Sequence, residues 1–236
     1  MIAALPWYPA ARPVLERLWR AARAHLGFGP ESLSWPADCA RHWQRPDILL
    51  TQTCAPVWRR HLVGRLHVVG ALDFGVAAPG LYRSALVARL DDPRPVAALA
   101  RAAVNDWESQ SGWGALGGLP LRAAFATGSH EASMRAVAAG EADVAAIDAV
   151  SWRLAPHPRL AVRAWTAPTP APPLLTGDPA LVAPLRAALR AALADLAASD
   201  RRRTGLRGLA EVDAAFTAAS PPLPAPFGCK SAADAA

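Results

Sequence analysis

The chain has 236 residues, 53% of them hydrophobic and 19% charged, so it can bury a core in one large domain or two small lobes. No apolar run reaches the roughly 18–20 residues that a membrane span needs, which argues against insertion in a bilayer. The net charge of +6 comes from 25 basic residues, all Arg except Lys230. They are scattered, apart from Arg201-Arg202-Arg203, which argues against nucleic-acid binding and leaves a mild field for small anions.

In chain order, residues 1–5 read as a strand running into the loop Pro6-Trp7-Tyr8. This start has no basic region, long apolar run or small-residue cleavage site, so the expected location is cytoplasmic, or periplasmic if a leader has been removed. A helix over 13–26 follows. Its apolar stripe is Val14, Leu15, Leu18, Trp19, Ala22 and Leu26, Pro13 suits its first turn, and Gly27 stops it. Residues 47–51 form a buried strand, and Thr53 opens a helix through Leu62. Further strands are expected over 66–72 and 82–90.

After Asp91-Asp92-Pro93 a second block begins. Residues 101–105 read as a strand ending at Asn105, and 121–126 as a strand running into Thr127-Gly128-Ser129-His130. A helix then reaches Ala139, with Gly140 as its cap. Strands over 143–148 and 160–165 close the block. Residues 166–173 hold too many prolines for a helix or a central strand and read as an extended crossing. Asp178-Pro179 starts a long helix with the stripe Leu181, Leu185, Leu189, Ala192 and Leu196; Pro184 predicts a kink or a later start. From Ser220 the Pro- and Ala-rich tail is expected to be draped or disordered.

This alternation predicts an α/β protein of two lobes, each a mostly parallel sheet flanked by helices and joined by two crossing segments. Residues 1–90 with 169–236 form the first lobe, and 91–168 the second. Two crossings make a hinge with a cleft.

Ligands of parallel α/β sheets sit where strands lead into helices. The loops there are Pro6-Trp7-Tyr8, Gln52-Thr53-Cys54, Glu108 to Gly112, Thr127 to His130, and Asp148. Hydroxyls, amides and one His recur in them, whereas Lys and paired carboxylates do not. Such a set holds an oxyanion with neutral donors at helix N-termini. Plain structural roles stand beside these: Ser129 and His130 as helix caps and Asp148 as a partner for nearby amides, while Arg83 either neutralises the ligand or faces solvent. Trp7 and Trp113 are candidates to line the cleft. Cys39, Cys54 and Cys229 have no metal or disulfide spacing, and Cys54 has no recognisable catalytic partner. No metal or cofactor is expected.

Asn105 with Ser109-Gln110-Ser111-Gly112, then Thr127-Gly128-Ser129-His130, then the run from Ala142 to Asp148, resemble the phosphate/phosphonate branch of ABC-transporter substrate-binding proteins. The resemblance is clearest over 47–169. It implies a type II periplasmic-binding-protein fold. By this resemblance Ser109 and Ser111 are anion ligands at a helix N-terminus, with Gln110 beside them. Ser129 and His130 form the next wall, and Asp148 faces the part of the ligand that is not the oxyanion. The first lobe adds Tyr8, Gln52, Thr53 and Tyr82. The implied function is capture of phosphate, a phosphonate or a phosphate ester in the cleft by hinge closure. The implied partner is an ABC permease or a signalling protein, with the chain itself monomeric. The alternative is a cytosolic enzyme on the same fold, with His130 or Asp148 as general acid/base acting on a small carboxylate or phosphate-bearing metabolite.

Overall fold

A computed structural model of the chain describes residues 1–225. The chain divides into two compact units, Met1–Tyr82 with Thr169–Ser220 and Arg83–Pro168 with Pro221–Ala236. The strand over 84–89, expected in the first lobe, therefore falls in the second unit.

In the first unit, the alternating and continuous apolar runs become β1 (Ile2–Ala3), β2 (Ile48–Gln52), β3 (His67–Asp73) and β4 (Leu81–Tyr82). Its second stretch supplies β10 (Thr169–Pro170), β11 (Pro173–Thr176) and β12 (Gly208–Ala210). The main sheet has the order β1-β2-β11-β3-β12. β1 and β2 are parallel, while β11 and β12 run antiparallel to their neighbours. The sheet is therefore mixed, not mostly parallel, because the returning chain adds its strands in the opposite direction.

β11 is a departure from the sequence expectations. It occupies the centre of the sheet with Leu174 and Leu175 fully buried. Pro173 is tolerated because it is the strand's first residue, and its carbonyl accepts from the Thr53 amide at 3.4 Å. Gly70 of β3 has Ala210 O only 2.9 Å from where a Cβ would stand, so glycine there lets β12 close on the sheet.

α1 (Arg12–Leu26) buries Val14, Leu15, Leu18, Trp19 and Ala22, most of the predicted stripe, and ends at Gly27 with φ 83°. It packs on α6 (Val182–Ala194), which buries Leu185, Leu189 and Ala192. Pro184 has the predicted effect of a later start. Asp178 caps a single 3₁₀ turn, Pro179–Leu181, and the α-helix begins only at Val182. Four short helices complete the unit: α2 (Cys39–Trp43), α3 (Ala55–Val57), α7 (Ala198–Thr204) and α8 (Ala214–Ala218). α3 runs into one π-helical turn, Trp58–Leu62, over the predicted helix. Arg17 of α1 grips Asp200 of α7 through Nε at 2.8 Å and Nη2 at 2.5 Å, which holds the Asp200 carboxyl below its usual range.

The second unit contains β5 (Ser84–Arg89), β6 (Arg101–Val104), β7 (Ala123–Ala126), β8 (Ala145–Asp148) and β9 (Leu160–Trp165), with helices α4 (His130–Ala139) and α5 (Ala149–Leu154). β5 is antiparallel to both β8 and β9, whereas β6 and β7 are parallel. A parallel bridge from Ala102 to Val144 joins the pair to β8. α4 covers one face with Met134 and Val137, and Leu86, Val104, Trp113 and Leu116 fill the other. Beneath β6, Arg94 bridges Asp92 at 2.6 Å and Asp143 at 3.0 Å, while Asp143 also accepts from the amides of Ala100 and Arg101. That guanidinium holds the Asp92 carboxyl at about 2.

Among the described residues no helix is long and apolar enough to cross a membrane. Nor does any group of His, Cys, Asp or Glu among them have the arrangement of a metal site. Cys39 and Cys54 are reduced thiols, and Cys229 lies outside the described residues.

Candidate functional site

In the second unit, β6, β7 and β8 share a direction, so Asn105, Thr127 and Asp148 stand at the same end of the strands. The segment 106–113 leaves β6 as a series of turns and places Ser109, Gln110 and Ser111 in buried positions. Ser109 Oγ accepts from the Gly112 amide at 3.0 Å and lies 3.4 Å from Ser111 Oγ. Ser111 Oγ in turn lies 3.0 Å from His130 Nε2. Two hydroxyls and an imidazole thus form one short row. Asn105 packs over Gly112 so closely that a Cβ there would stand 1.7 Å from its Oδ1, so any larger residue at 112 would displace the Asn105 side chain. Asn105 Oδ1 is buried with no hydrogen-bond partner.

One expectation about this loop is corrected. Ser109 and Ser111 do not open an α-helix; the next regular element is a single 3₁₀ turn, Gly114–Leu116. So short an element carries little macrodipole, and the favourable field for an anion must come from the side chains and turn amides.

His130 begins α4, with Ser129 as its N-cap accepting from the Ala132 amide at 3.1 Å. Burial of the imidazole pushes its pKa down to about 4, with the Ala146 backbone pulling partly the other way. The ring is therefore neutral at pH 7 and supplies one donor and one acceptor instead of a charge. Thr127 is occupied internally: its hydroxyl contacts Val104 O at 3.1 Å and Ser133 Oγ at 2.7 Å. Ser133, fully buried in α4, escapes a reading of the sequence. The only signal is a hydroxyl inside the stripe that continues with Met134 and Val137.

Asp148 is buried and uses Oδ1 to cap α5, accepting from the amides of Val150 at 2.7 Å and Ser151 at 3.1 Å. This is the plain structural role open to a carboxylate at a strand end. Arg83 stacks its guanidinium over Trp165 at 4.5 Å instead of standing out in solvent.

In the first unit, Tyr8 has φ 65° and ψ 63°, the left-handed region, and its ring stands edge-on to Phe74 at 5.0 Å. It is the one non-glycine residue with positive φ among the described residues, a strain of about 1–3 kcal/mol held in place by its neighbours. Trp7 leans on Trp43 at 6.4 Å, and its Nε1 is buried without a hydrogen-bond partner, as is Thr53 Oγ1. Gln52 donates through Nε2 to Pro172 O at 3.4 Å, and Tyr82 is buried in β4 opposite Thr169. An unpartnered buried polar atom costs about 1–3 kcal/mol, so those at Trp7, Thr53 and Asn105 mark positions that gain from an incoming polar group.

Comparison with known proteins finds one family likeness and several of fold. Residues 119–222 match the sequence model of the ABC-transporter phosphonate periplasmic substrate-binding proteins. That stretch is similar to the phosphonate-type substrate-binding family. No curated protein sequence matches the chain.

Solved structures agree on the fold. A Prochlorococcus marinus phosphonate-type protein in complex with methylphosphonate superposes with TM-score 0.66 at 14% identity, covering 92% of this chain and 93% of that one. A binding-protein component of an ABC phosphonate transporter from Pseudomonas aeruginosa gives TM-score 0.66 at 17% identity, covering 90% and 81%. A Xanthomonas citri protein bound to ATP gives 0.63 at 17% identity, covering 90% and 91%. The chain therefore has the two-lobed type II periplasmic-binding fold expected from its motifs.

Proposed function

We propose that the chain is a phosphonate-type binding protein, which captures a small oxyanion (phosphate, a phosphonate or a phosphate ester) by hinge closure and delivers it, as a monomer, to an ABC permease outside the cytoplasm. The observation that carries this reading is the uncharged row of buried Ser109 and Ser111 with half-buried His130, flanked by Asn105 and the Gly112 amide. Neutral donors in a water-poor setting hold an oxyanion through strong charge-assisted hydrogen bonds, without the promiscuity of a free Lys or Arg. The methylphosphonate bound in the Prochlorococcus marinus structure of the same fold supports that choice of ligand class. Gln110, Thr127, Ser129 and Asp148 complete the proposed wall, and Tyr8, Gln52, Thr53 and Tyr82 are the first unit's proposed contribution. Asp148, tied to the start of α5, acts there chiefly as a shape-setting group.

The test is titration with methylphosphonate, inorganic phosphate and acetate, followed by calorimetry and thermal shift. A saturating phosphonate at 100 times its Kd stabilises the fold by about 2.7 kcal/mol. Replacing Ser109 and Ser111 together by Ala removes two hydrogen bonds to a charged group, each about 1.5–3 kcal/mol, and weakens binding by at least ~100-fold. Stabilisation by acetate alone, or unchanged affinity in the double variant, refutes the assignment.

A further inference from the structure

The described chain crosses between its two units a third time, at Ser220–Pro221. On the first-unit side Ser220 is buried, and Arg59 Nη1 donates to the carbonyls of Ala218 at 2.9 Å and Ser220 at 2.6 Å. On the second-unit side the carbonyl of Pro224 accepts from the indole N–H of Trp113 at 2.8 Å. Leu223 packs into the face formed by Leu86, Val104 and Trp113. The tail is thus anchored at both ends by buried or half-buried groups.

The tail also explains two glycines. A Cβ on Gly114 would stand 2.9 Å from Leu223 Cδ2, and one on Gly117 would stand 2.8 Å from Pro224 Cγ. Gly117 has φ −60° and ψ −13°, angles that any residue adopts. Glycine at 117 therefore serves space and not backbone conformation: it lets the tail lie down.

What the tail holds is the end of the Ser109–Gly112 loop. Trp113 follows that loop directly, and Trp107 precedes it; the two rings meet edge-on at 5.1 Å. The Gly114 amide, at the same junction, donates to Ser109 O at 2.9 Å. Fixing Trp113 fixes the turn that sets the spacing of Ser109 and Ser111.

We propose that residues 221–224 form a positioning strap that clamps Trp113 and so preorganises the anion loop, with Leu223 and Pro224 as positioning residues. The inference rests on the proposed role of that loop. Without the strap the loop samples more conformations, and binding must order it first.

The decisive variant is Gly117→Ala, whose methyl displaces Pro224 without straining the backbone. Loss of the anchored hydrogen bond raises the Kd for methylphosphonate about tenfold. It also speeds exchange of the Gly112 and Gly114 amides, followed by NMR, while the β5 and β8 amides keep their rates. The double variant Gly117→Ala with Pro224→Ala lacks the clashing Cγ, keeps the carbonyl that Trp113 needs, and restores both readouts. A chain ended at Ser220 repeats the defect, and a chain ended at Ala225 binds as the full chain does. Wild-type exchange and affinity in Gly117→Ala, failure of the rescue, or an equal defect in the chain ended at Ala225 overturns the strap. The exchange readout needs no ligand, so the strap and the oxyanion assignment fail separately.

Discussion

Acidification from pH 7 to pH 5 tests the neutral imidazole at the centre of the proposed site. The fold holds His130 at about 4, against an ordinary value of 6.5, because burial penalises its charged form. The unfolded chain takes up that proton at higher pH than the folded chain. Stability is therefore complete above about 6.5 and falls as the pH drops towards 4, by up to about 1.4 kcal/mol per pH unit. Two pH units below 7 give a loss of about 2 kcal/mol, and the loss levels off near ~3 kcal/mol. The measurement is urea unfolding followed by circular dichroism at pH 7, 6 and 5, for the wild type and His130→Gln. His42, buried against Thr51 Oγ1 at 2.9 Å, is also shifted down by burial and contributes in the same direction to both proteins. The difference between the two curves therefore isolates His130. Asp47 and Asp92 are held at about 2, so their contribution is lost only below the ordinary carboxylate range and does not enter this window. Parallel stability curves for the two proteins between pH 6.5 and 5 would refute the buried neutral imidazole.

Two further substitutions probe the framework. Leu189→Ala leaves a cavity at a fully buried position between α6 and the sheet, and lowers the unfolding free energy by about 2–5 kcal/mol in urea titration. Gly140→Ala forces a Cβ into the left-handed region at φ 83°, where its nearest neighbour, Arg89 Nη1, stands at an ordinary 3.7 Å, and costs about 1 kcal/mol in the same assay. A neutral result at Gly140 would mean that the C-terminus of α4 has refolded to another cap.

Local rules are legible where the neighbouring residues suffice to apply them. The stripe of α1, its stop at Gly27, the cap at Gly140 and the late start of α6 at Pro184 all follow from spacing and backbone chemistry within one or two turns. β11 is hidden because the proline-rich stretch from Thr166 to Pro173 masks the short apolar run that follows, and only two flanking strands make Leu174 and Leu175 a sheet centre. β12, α2, α7 and α8 are three to seven residues long, too short for a periodic pattern to emerge. Strand direction is likewise invisible, since alternation in one strand says nothing about which way its partner runs.

The sequence by itself determined which loops carry hydroxyls, amides and the single imidazole, because residue type and strand-end position are written in one dimension. It also carried the family resemblance through the order of those motifs. Only the tertiary structure decided that Ser111 meets His130 and that Gly117 makes room for Pro224. These depend on contacts between residues 19 and 107 positions apart, where burial and packing set protonation, hydrogen bonding and space, and none of those is a property of a residue's neighbours in sequence.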